Sequence, residues 1–147
     1  MKILLKQAKI MDSSSNFNNE QKDILIENGQ IVEIKDQIKE DKKYTIIKSS
    51  DLHVSKGWID LKAHFCDPGH EYKETLASGL EKAAKGGFTH VGILPSTEPV
   101  MDQRISIDSL YRKASKHLTG VIPMGCLSKQ MEGKELAELY DMQIAGA

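Results

Sequence analysis

The residues of this chain most able to do chemistry stand together in Asp60-Leu61-Lys62-Ala63-His64-Phe65-Cys66-Asp67-Pro68-Gly69. Side chains on a strand alternate between faces, so positions 62 and 64 are expected to point the same way. Two imidazoles at that spacing supply two ligands to one zinc-type site. Here one imidazole is present, and the other position is Lys62. At neutral pH an ammonium has donors and no lone pair, so it repels a divalent cation where an imidazole would bind it.

Each of these residues has a functional and a structural reading. His64 is either a metal ligand or a hydrogen-bonded histidine at a strand end, and the absence of a second imidazole at ligand spacing favours the second. The Lys62 ammonium either sits where a metal would sit and pairs with a carboxylate, or snorkels out of an open mouth. A buried, unpaired ammonium costs too much to be a third option. Asp60 is expected to brace the strand end through backbone hydrogen bonds rather than bind metal. Cys66 has no histidine partner that the sequence can argue for, and reads as a passive thiol. Ser96 follows Pro95 and reads as a turn residue. His53, His70, His90 and His117 do not share ligand spacing with His64. Gly86-Gly87 closes a helix, whereas a phosphate cradle opens one. No catalytic residue is assigned.

The elements that must position these groups change character along the chain. The first 55 residues read as β-rich. Lys2–Ile10 is a strand, and Asp23–Glu27 and Gln30–Ile34 flank the hairpin signal Asn28-Gly29. Asp12–Asn19 is expected to be a long, mobile polar loop, Lys35–Lys43 a solvated connection, and Tyr44–Lys48 a short strand. From Lys56 strands and helices alternate: Trp58–Phe65, then a helix over Lys73–Lys85, Thr89–Leu94, a helix over Ile105–Leu118, Gly120–Gly125, and a helix over Lys134–Ile144 with Leu136, Leu139 and Tyr140 on one face. That order predicts an α/β chain with parallel strands and right-handed crossovers.

Bulk properties exclude several classes. A formal net charge of −1 over 147 residues argues against nucleic-acid or anionic-membrane partners. No stretch approaches the roughly 18 apolar residues of a membrane span, and Met1–Lys6 lacks the apolar run of a signal peptide. Cys66 and Cys126 stand alone and fit a reducing, cytoplasmic setting.

Four further segments fall in a telling order: Ile26-Glu27-Asn28-Gly29-Gln30-Ile31, Asp67-Pro68-Gly69-His70-Glu71-Tyr72-Lys73-Glu74-Thr75, Ala83-Ala84-Lys85-Gly86-Gly87-Phe88-Thr89, and Leu94-Pro95-Ser96-Thr97-Glu98-Pro99-Val100. Together with the strand ending Asp60-Leu61-Lys62-Ala63-His64, this order resembles dihydroorotase of the amidohydrolase superfamily, in the branch related to allantoinase and hydantoinase. The resemblance implies a small N-terminal β-sandwich portion over residues 1–55, then the first three βα units of a TIM-like (β/α)8 barrel over residues 56–147. A full barrel needs about 250 residues, so the chain is expected to be a fragment ending near a fourth strand.

The resemblance also implies zinc as the family cofactor, and the interconversion of dihydroorotate and carbamoyl aspartate in pyrimidine biosynthesis as the family reaction. Carried over position by position, the first metal histidine is Lys62 and the second is His64. The arginine that grips the substrate carboxylate is Cys66, and the asparagine that assists it is Ser96. The expectation is a catalytically impaired or silent dihydroorotase-family protein, with zinc absent or partly occupied. Its partners are expected to be a second copy of itself or a partner enzyme such as aspartate transcarbamoylase. The alternative is a metal-dependent cyclic amidase, dihydroorotase-like or hydantoinase- and allantoinase-like, that is active in a full-length form.

Overall fold

Asn28 and Gly29 both take positive φ, 51° and 81°, the turn whose twist matches a two-residue hairpin. The computed structural model, which describes residues 1–147, pairs β2 (Gln21–Glu27) with β3 (Gln30–Lys35) across this turn, with Glu27 opposite Gln30. β1 (Lys2–Met11) runs antiparallel to β2, with Leu4 opposite Leu25. Along its other edge β1 takes β4 (Thr45–Lys48) and then β5 (His53–Ser55), both parallel to it. These strands make one five-stranded sheet within a compact unit of residues 1–56.

The connections of this unit fold back onto the sheet. Lys35–Lys43 was expected to be solvated, but Ile38 is buried with Leu4 and Leu25, and Tyr44 packs beside them. Asp12–Asn19, expected to be a polar loop, closes on itself as a turn. Asp12 Oδ1 accepts from the Ser14 N–H at 2.9 Å, and Phe17 packs on the cluster of Ala8, Ile10 and Ile24. One apolar residue per segment, Ile38 in the first and Phe17 in the second, is enough to dock an otherwise polar connection.

Asp23 ties the unit together from inside. Its fully buried carboxylate accepts from the ammonium of Lys6, the Gln7 N–H at 2.9 Å, Gln7 Nε2 at 3.1 Å and the Ile38 N–H at 2.8 Å. Gln7 presents its N–H because β1 bulges there, with φ of 51°.

Residues 57–147 form the second unit, a parallel sheet in the order β6-β7-β8. It is built from β6 (Trp58–Ala63), α1 (Leu76–Lys85), β7 (Phe88–Ile93), α2 (Arg104–Ala114), β8 (Gly120–Pro123) and α3 (Leu139–Ile144). Its core gathers Leu80 of α1, Val91 and Ile93 of β7, Ile107 and Leu110 of α2 and Met142 of α3. Thr75 caps α1 by accepting from the Ser78 N–H at 3.2 Å, so the helix starts at Leu76 and not at Lys73. Gly87, at φ 83°, follows the helix end. The third helix also starts later than expected. Leu136 and Tyr140 are exposed, and Ala137 and Met142 are the residues that α3 and its lead-in bury. No helix is long and apolar enough to cross a membrane.

Candidate functional site

β6 ends at Ala63 and β7 at Ile93, so His64 and Ser96 lie in the loops just beyond the C-terminal ends of two adjacent parallel strands. That end of an open parallel sheet is where α/β proteins build their sites. Strand Trp58–Phe65 of the sequence reading is thus two residues shorter, and His64 stands on a loop.

The expected alternation does not carry through this segment. The β6–β7 register shifts between Asp60 and Ala63, so positions 62 and 64 are not simple same-face neighbours. Asp60 Oδ1 accepts the Lys62 N–H at 2.9 Å, which pins the irregular stretch from within. The Lys62 side chain is exposed.

His64 Nε2 lies 3.1 Å from the main-chain oxygen of Ser96. A carbonyl oxygen only accepts, so Nε2 carries the proton and donates. The Ser96 hydroxyl stands 3.4 Å from the same nitrogen, at the long edge of a hydrogen bond. Structure therefore brings His64 and Ser96 together, through a backbone atom that no side-chain motif could reveal. Cys66 is buried, with φ of 60°, and its Sγ lies 3.7 Å from the His64 carbonyl as a weak donor. Cys126 is also buried and unpaired, and burial pushes its thiol up, away from the thiolate a nucleophile needs.

Lys62 has no lone pair to give, and His64, with Nε2 engaged by Ser96, keeps one lone pair on Nδ1, so these positions supply a single zinc ligand where a pair is needed. No three His, Cys, Asp or Glu side chains gather in a ligand cluster anywhere in the chain.

Asp67 was not singled out from sequence. Lys113 Nζ meets its Oδ1 at 2.8 Å, and the Leu76 N–H donates to its Oδ2 at 3.0 Å. Burial pushes its acidity down, but the Lys113 ammonium and the Leu76 N–H outweigh this and hold the carboxyl below its ordinary value. The signal was present in Asp67-Pro68-Gly69 followed by Thr75, a turn leading into a helix N-terminus, where a carboxylate is at home.

Comparison with known proteins gives a consistent picture. Residues 52–147 match the family model described as dihydro-orotase-like. The chain is 38% identical over 148 residues to the dihydroorotase of Ruminiclostridium cellulolyticum, covering 100% of this chain and 34% of that protein. Its identity to the dihydroorotase of Syntrophus aciditrophicus is 40% over 151 residues, covering 100% and 35%. The chain thus spans about a third of the length of these curated relatives. In fold it is similar to an L-hydantoinase (dihydropyrimidinase) from Arthrobacter aurescens, with a TM-score of 0.72 at 19% identity, over 86% of this chain and 28% of that one. A crystal structure of a dihydroorotase aligns with a TM-score of 0.56 at 17% identity, over 88% and 32%.

Proposed function

Because this chain belongs to the dihydro-orotase-like family of cyclic amidohydrolases, we propose that it is a dihydroorotase-type protein of pyrimidine biosynthesis whose visible site no longer builds a zinc hydrolase. One observation carries this reading: Lys62, whose ammonium has no lone pair, stands where the other ligand would be, beside a His64 whose Nε2 is engaged by the Ser96 carbonyl at 3.1 Å. In this proposal Cys66 and Ser96 occupy the positions that would grip the substrate carboxylate. Cys66 offers no fork of parallel charge-assisted bonds, and the Ser96 hydroxyl leans on His64. No proton-transfer or hydrolytic step is assigned to these residues.

The role that remains is structural. In this reading the sheet β6-β7-β8 corresponds to the start of a TIM-like barrel, and the N-terminal sheet to one layer of a β-sandwich portion. Support comes from β6 and β8, which each leave a strand edge free, and from Trp58, Ile59 and Leu61 of β6, which are exposed. Partners in this reading are a second copy of the protein or aspartate transcarbamoylase, in the cytoplasm, where Cys66 and Cys126 stay reduced.

The test is elemental analysis of the size-exclusion peak of the purified protein, with carbamoyl aspartate turnover measured on the same fractions. Essentially no zinc and no turnover in an oligomeric peak is the expected result. About one zinc per chain with turnover would overturn the proposal in favour of an active metal-dependent cyclic amidase.

A further inference from the structure

A cavity of about 230 Å³ lies between the loop after β6, the loop after β7 and helix α2. None of Lys62, His64, Cys66 or Ser96 lines it, so it stands apart from the site described above. Met101 and Leu110, both buried core residues, are among its apolar lining. Pro68 and Pro99 add rigid apolar surface. Ser106 and Ser109 also line it, and as residues three apart on α2 they share one helix face.

Its charged lining is a closed pair. Lys113 Nζ meets Asp67 Oδ1 at 2.8 Å, and the other carboxylate oxygen is held by the Leu76 N–H. The two charges cancel at that distance, so neither a free carboxylate nor a free amine finds a net opposite charge in the cavity. The ammonium still has N–H donors to spare, and the carboxylate and the two hydroxyls still have lone pairs. A neutral group with a donor and an acceptor side by side satisfies both partners at once, and a primary amide is the simplest such group. As to size, a cavity of about 150 Å³ accepts a benzene ring. This one has room for a ring and a small polar group.

We infer that the cavity between α2 and the β6 and β7 loops is a binding site for a small neutral amide with an apolar, ring-sized body. The ring lies against Met101 and Leu110, and the amide faces Lys113, Asp67 and the serine hydroxyls. This assignment does not depend on how the His64 site is read.

The experiment is an NMR titration of the 147-residue chain with benzamide, and separately with benzoate and toluene. The Met101 methyl and the Ser106 and Ser109 amides are followed. Benzamide is expected to shift all three saturably at millimolar concentration. Ser109→Leu, which fills the cavity, is expected to weaken binding by about tenfold or more with the Leu80 and Ile93 methyl signals unchanged. If that variant does not fold, Ser106→Ala, which only removes a hydroxyl, is expected to weaken binding a few-fold. No saturable shift with benzamide, or undiminished binding by the variants, overturns the site. Equal binding of benzoate or toluene overturns the neutral-amide class.

Discussion

The imidazole of His64 is fixed by the carbonyl of Ser96, 3.1 Å from its Nε2. This is a bond between two loops that follow adjacent strands, and it decides which ring nitrogen is protonated. Neutral His64 is therefore expected to be the Nε2–H tautomer. A long-range proton–nitrogen correlation spectrum reads the tautomer directly, and zinc added in equal amount should leave those signals in place. An Nδ1–H pattern, or a His64 shift that saturates with zinc, would sink this assignment.

Asp23 makes a stability prediction with a pH signature. Burial raises its pKa, but the Lys6 ammonium and the N–H groups of Ile38 and Gln7 prevail and bring it down to about 2. The unfolded chain therefore binds this proton more readily than the folded one. The stabilisation is complete above the ordinary aspartate value and is lost as pH falls from about 4 toward 2. Its size is on the order of 2 kcal/mol. Asp23→Ala strands a largely buried lysine and two backbone donors, and should cost about 3 kcal/mol at neutral pH. Urea unfolding at pH 7 and pH 3 checks both statements. A variant whose midpoint matches the wild type at pH 7 would refute them.

Gly69 holds two loops close together. Its φ is 106°, and a Cβ there would fall 2.6 Å from the Glu98 carbonyl oxygen and 2.5 Å from the Glu98 Cβ. The Glu98 N–H donates to the Pro68 carbonyl at 2.9 Å in the same contact. Gly69→Ala should cost on the order of 2 kcal/mol, because backbone strain and a backbone clash add. Faster hydrogen exchange at the Glu98 amide, with the Leu80 amide slowed or unchanged relative to it, would mark the loss as local. Unchanged exchange at Glu98 would contradict the close approach.

What could be read from sequence followed from local rules. Asn28-Gly29 takes its hairpin turn because both residues tolerate positive φ, and the alternation after Lys56 folds as parallel βα units because each intervening helix carries the chain back to the end of the sheet where the strand before it began. Local rules also produced the misreadings. Leu136, Leu139 and Tyr140 have helical spacing, but spacing does not say which side a core lies on, and packing buried Met142 instead. Ile38 was lost among charges although Asp23, fifteen residues earlier in the chain, captures its N–H. The pairing of His64 with Ser96 was illegible for a different reason. Its acceptor is a main-chain oxygen, which every residue possesses.

One feature of the N-terminal sheet bears on how the protein is made. β1 precedes β4 and β5 in the chain, yet its edge is completed by Thr45–Lys48 and then by His53–Ser55, with Lys9 beside His53. Lys2–Met11 thus have one hydrogen-bonding edge unmatched until the chain has grown past Ser55. Through that interval β1 can pair on one side only, with β2. A strand edge left open can pair with other chains, and here a strand of three residues, His53–Ser55, is what covers the far end of it.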